Sequence, residues 1–123
     1  MMYLDEKLYA VCVEEVGHHI DARNGELIDQ RLYKCYARPY QVIEVCGGTY
    51  EGHDSGITLL ASPVAANGKD LAIIVNDAGE FHTSDYIYDE HRRCFPSLKQ
   101  AKIEVERIVE LIKENTKNAV IIA

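Results

Sequence analysis

In the first three quarters of the chain the hydrophobic positions fall in short runs broken by glycine, proline and asparagine, the punctuation of strands and turns. "KLYAVCVEEV" (7–16) has apolar residues on both faces and no breaker, so it reads as a strand covered on both sides. "GHHIDARNG" follows as a connector ending in Asn24-Gly25, a strong turn dipeptide. Residues 26–38 are ambiguous. Leu27, Ile28, Arg31, Leu32, Cys35 and Tyr36 would share a helix face, yet the Tyr and Cys content and the hairpin signal favour a strand. Pro39 ends the element either way. "YQVIEVC" (40–46), "GITLLAS" (56–62) and "DLAIIVN" (70–76) read as further strands, the last nearly all apolar and therefore central. "NDAGEF" then turns the chain back into "EFHTSDYIY" (80–88). Alternation there puts Phe81, Thr83, Asp85 and Ile87 on one face and Glu80, His82, Ser84, Tyr86 and Tyr88 on the other.

The period changes after Pro96. Ser97 and Gln100 form a capping box, and Leu98, Ala101, Val105, Ile108 and Ile112 recur at helical spacing with Val109 beside them. The spacing predicts a helix over 98–116, with Lys113 and Lys117 suited to its C-terminal dipole. The closing "NAVIIA" reads as a short strand or a contact between subunits. The predicted fold is α+β: a mostly antiparallel, five- to six-stranded sheet with one long C-terminal helix packed on it. The length predicts a single domain over residues 1–123, which the candidate chemistry below leads one to expect is a ligand-binding domain.

Composition narrows the function classes. An apolar content of 47% supports a real core and argues against intrinsic disorder. The N-terminus is acidic where a signal peptide would be basic, and "LAIIV" and "AVIIA" fall far short of the ~20 residues that span a bilayer. No membrane partner is expected, and the location expected is the cytoplasm. Cys12, Cys35, Cys46 and Cys94 offer no Cys-x-x-Cys pair, so they read as free thiols and not as a zinc or redox motif. A formal net charge of -7 argues against binding a DNA or RNA polymer. It leaves room for one small anion, because a pocket needs only a few local cations.

The candidate chemistry follows from that balance. His18, His19, His53, His82 and His91 lack the spacing of metal ligands, and adjacent histidines on a strand point to opposite faces, so no metal is expected. Cys46 near His53 imitates a Cys–His pair but has no third, orienting group, and there is no G-x-S-x-G elbow. No catalytic residue and no cofactor is expected. "CGGTYEGHDSG" is followed by neither a Walker lysine nor a helix, which leaves it as a rim loop presenting backbone N–H groups.

Arg92 and Arg93 are different. They stand beside His91 in the segment leading into the helix, where Lys99 and Lys102 follow and Arg107 lies further along. A guanidinium pair next to free helix N–H groups suits a phosphate, and Phe81 or Tyr86 would supply a stacking face. The competing reading pairs the arginines with Asp89 and Glu90 on a solvated surface. Arg23 and Asn24, on the first turn, are secondary polar candidates. Rival classes are an acidic inhibitor of a nucleic-acid enzyme and a small hydrolase using Cys46 and the histidines.

Size, acidity and the order of elements, a sheet first and then the capped helix "PSLKQAKIEVERIVELIKEN", resemble small accessory proteins of phages and mobile elements. Within that group the chain is similar to the phage anti-Thoeris sponge family. The resemblance implies a non-enzymatic protein that counters host defence from the bacterial cytoplasm. It would sequester cyclic ADP-ribose isomers, and cyclic oligonucleotides, in pockets at the subunit interfaces of a homo-oligomer. It places Phe81 as the stacking aromatic, with the His91-Arg92 region and Arg107 at the ligand. Both lines expect a small phosphorylated signalling molecule held by a few cations and an aromatic.

Overall fold

The computed structural model describes residues 3–23, 25–47, 57–65, 67–88 and 90–122. Its elements run β1 (Lys7–Arg23), β2 (Glu26–Gly47), β3 (Ile57–Pro63), β4 (Leu71–Val75), β5 (Phe81–Ile87), β6 (Glu90–Phe95), α1 (Leu98–Asn115) and β7 (Ala119–Ile122). Each strand from β1 to β6 pairs antiparallel with the next. β6 then returns to β1 through Tyr9↔Phe95 and Ala10↔Cys94. The sheet therefore closes on itself as a six-stranded antiparallel barrel, which corrects the open sheet expected from the sequence.

Two local facts make the closure. The first is β6, which the sequence reading takes for a connector. Only Cys94 and Phe95 are apolar in "EHRRCF", so hydrophobic alternation gives no signal there. The turn into β6 is equally quiet: Ile87 pairs with Glu90, and Tyr88 takes the left-handed conformation (φ 46) usually given to Gly or Asn. The second is the length of the first hairpin. β1 runs on through the expected connector to Arg23, and Gly25 (φ 78) serves the turn that Asn24-Gly25 foretells. β2 passes straight through Pro39, joining two expected elements. Pro39 is tolerated because its carbonyl, on the same side as its missing N–H, accepts from Val64 N (3.1 Å) just past the end of β3. The bond that Pro39 cannot donate is the reciprocal one to the Val64 carbonyl, at the very end of the ladder.

The barrel interior is filled with side chains. Leu8, Ala10, Tyr40, Val42, Leu59, Ala61, Ile73, Val75 and Cys94 form one buried cluster. Register shifts at Glu15/Gly17, Val42/Glu44 and His82/Tyr86 supply the bends a small barrel requires. Tyr3, edge-on to Phe81 at 5.8 Å, packs against the cluster, and backbone bonds Asp5 N to Val42 O and Val42 N to Glu6 O hold the N-terminal turn in place.

Outside the barrel, α1 packs on the opposite face of the long hairpin. Val11, Ile108 and Ile112 are buried there, with Val13, Tyr33, Cys35, Phe95, Ala119 and Ile121 around them. Ser97 caps the helix as expected, its Oγ accepting from Gln100 N. The terminal apolar run becomes β7, a parallel strand beside Arg31–Lys34 of β2. Among the described residues no helix is long and apolar enough to cross a membrane.

Candidate functional site

A groove of about 480 Å³ lies between the outer face of β6 and α1. Glu90, His91, Arg93 and Phe95 line it from the strand, and Gln100, Ile103, Glu104 and Arg107 from the helix. A smaller recess of about 250 Å³ continues past Arg93, Phe95 and Gln100 to Glu80 and Phe81. Strand alternation brings His91, Arg93 and Phe95 to this face together, and Arg107 lies one helical turn from Glu104.

Three expected residues thus meet: His91, Arg93 and Arg107. Tyr86 joins them indirectly, its exposed ring lying over His91 with centroids 4.0 Å apart. Phe81 turns toward the barrel core against Tyr3 and reaches only the smaller recess. Arg92 does not belong. As the β6 neighbour of Arg93 it points to the other face of the sheet, toward the barrel side with Cys94. The expected Arg92-Arg93 clamp is therefore split by the strand that the sequence reading missed. Asn24 and the side chain of Arg23 lie outside the described residues, as do Asp89, His53 and positions 48–56 of the glycine-rich loop.

Carboxylates hold both guanidinium groups. Arg107 donates Nε–H to Glu104 and an NH2 group to Glu90 (2.8 Å), which strengthens its hold on its proton. Glu104 is buried, so its charge needs that partner. Glu90 and Arg107 are both about half exposed (46% and 48%), which makes theirs a weak pair. Arg93 lies over the Phe95 ring at 4.8 Å and reaches Glu80 at 3.0 Å. A hydrogen bond from Asn76, and then the Arg93 charge, keep the Glu80 carboxyl below the usual carboxylate range. His91 donates Nδ1–H to the Thr83 carbonyl (3.1 Å), which leaves Nε2 for a ligand.

Glu80, Glu90 and Glu104 were not foreseen as site residues. Glu104 was legible: it sits on the 101-104-108-112 stripe that the helix buries, and an ionisable residue on such a stripe calls for a partner. Glu90 and Glu80 could not be placed without β6. Among the described residues no group of three or more His, Cys, Asp or Glu side chains is set to hold a metal ion. Cys46 is exposed, with its thiol against Glu44 at 3.5 Å.

Comparison with protein-family models, with curated proteins and with solved structures finds no match to this chain.

Proposed function

We propose that the chain is a non-enzymatic binding protein that sequesters a small phosphorylated signal of the cyclic nucleotide type in the groove between β6 and α1. The observation that carries this reading is the asymmetric hold on Arg107. Buried Glu104 fixes one side of its guanidinium, while the half-exposed Glu90 meets the other. A pair like Arg107–Glu90 contributes about 0–1 kcal/mol, so a phosphate that binds the same fork bidentately can take the place of Glu90. Arg93 offers a second cation on the same wall. Phe95, Ile103 and the stacked rings of His91 and Tyr86 give a nucleobase or ribose an apolar surface.

The order of elements that resembles the anti-Thoeris sponge family supports cyclic ADP-ribose isomers and cyclic oligonucleotides as the ligand class. The closed barrel adds nothing to that resemblance. Ile103 and Tyr86 are 60% and 59% exposed at the groove, so a ligand there stays partly in solvent until another surface covers it. Closure by a second copy, in a homo-oligomer, belongs to the same reading.

Thermal denaturation with a cyclic ADP-ribose isomer, and separately with a cyclic oligonucleotide, tests the proposal. A concentration-dependent rise in Tm, with the intact compound recovered after denaturation, is the expected result. Recovery of cleaved compound would assign the groove to a hydrolase. No shift with either compound would overturn the reading.

A further inference from the structure

The arginine that fails to join the groove points to a second site. On the inner side of the sheet, Tyr40 and Val42 face the barrel core, and strand alternation puts Arg38 next in that row. Ala10 and Cys94 face the core likewise, so Cys12 and Arg92 continue those rows toward the same end. Ala10 pairs with Arg38 on one side and Cys94 on the other. β1 therefore lies between the two arginine-bearing strands, which are about 10 Å apart at two strand spacings. Two extended arginine side chains are long enough to meet across a span of that size. Burial pushes the Cys12 thiol up, and Arg92 and then Arg38 are the cations that oppose it.

Both arginines are half buried. Among the described residues, nothing pairs these two cations with a counter-charge: no carboxylate reaches salt-bridge distance of either one, in contrast to Arg93 and Arg107. Arg38 lies over the Tyr40 ring at 5.6 Å and donates to the Asn67 carbonyl from the connection between β3 and β4. That contact is possible because Gly68 (φ 138) has no side chain where the guanidinium lies. Arg92 Nε is buried without a hydrogen-bond partner. Glu14, which follows Cys12 on the inner face of β1, is engaged by the Tyr36 hydroxyl at 3.0 Å. Partly buried guanidinium groups without a counter-charge are costly, and an anion that both can fork relieves that cost.

We propose that this end of the barrel binds a small oxyanion, a phosphate or a carboxylate group, between Arg38 and Arg92 and independently of the outer groove. The test follows arginine Nε–H signals of ¹⁵N-labelled protein by NMR during titration with inorganic phosphate and, in a second arm, succinate. Saturable movement of the Arg38 and Arg92 signals is expected, and the stronger arm identifies the anion's chemistry. Arg92→Gln should weaken the response at Arg38 about tenfold, the loss of one charge-assisted contact. Arg92→Lys, which keeps charge and bulk, should show an intermediate loss and serves if the glutamine variant does not fold. The double variant Glu104→Gln/Arg107→Gln, which disables the groove without leaving Glu104 buried and unpaired, should leave the response intact, so failure of the groove and failure of this site are distinguishable. Unmoved Arg38 and Arg92 signals in both arms, or equal affinity in the Arg92 variants, would overturn the site.

Discussion

At the scale of single residues, the β6–α1 groove turns on which carboxylate each arginine can release. Glu90→Gln removes the competitor on the open side of Arg107 and should tighten binding of a phosphorylated ligand a few-fold, measured by calorimetry. Looser binding would mean that Glu90 is itself a ligand contact. Arg107→Gln alone leaves Glu104 buried without its cation, so the double variant Glu104→Gln/Arg107→Gln is the fair test. It should fold and bind about ten- to a hundredfold more weakly, the worth of a charge-assisted pair. Cys94 makes a separate prediction. Burial in the barrel raises its thiol from the ordinary value of 9.0 to about 12. The folded state then holds this proton more tightly than the unfolded chain does. Its contribution is complete below about pH 9 and is lost as pH rises toward 12. Cys12 and Cys35, also raised by burial, add to the same decline. Stability should therefore fall above pH 9 by chemical denaturation, and Cys94→Ala should flatten the fall. A slope unchanged by that substitution would remove Cys94 as a cause.

At the scale of elements, legibility followed signal strength. The helix was readable from its cap and its apolar period, and it runs over Leu98–Asn115 against the expected 98–116. Ser97→Ala should cost about 1 kcal/mol in urea denaturation, and a loss near zero would show that the cap bond is idle. The strands rich in branched residues were readable too: 70–76 corresponds to Leu71–Val75, and 80–88 to Phe81–Ile87. β6 was not, because its core contribution is a single cysteine and its turn uses Tyr88 in a glycine-like conformation. Pro39 misled for a different reason. Proline forbids a ladder donor, and only the paired structure shows that position 39 faces the end of β3, where a single terminal bond is lost. The same gap distorted the site. Reading 89–97 as a connector makes Arg92 and Arg93 a clamp, whereas a strand must aim them apart.

At the scale of the whole molecule, barrel closure sets where both proposed sites lie. The sheet has an inner face, filled by the core and edged by Arg38 and Arg92, and an outer face on which α1 builds the groove. Ile73 is fully buried in the barrel, and Ile73→Ala should cost about 2–5 kcal/mol. A cost near zero would mean that the interior is not packed. The most direct test of the account is calorimetric titration of the wild-type protein and the Glu104→Gln/Arg107→Gln variant with a cyclic ADP-ribose isomer. Saturable binding by the wild type, falling at least tenfold in a folded variant, is expected. Equal binding by the two proteins, or none by either with this compound or a cyclic oligonucleotide, would contradict it.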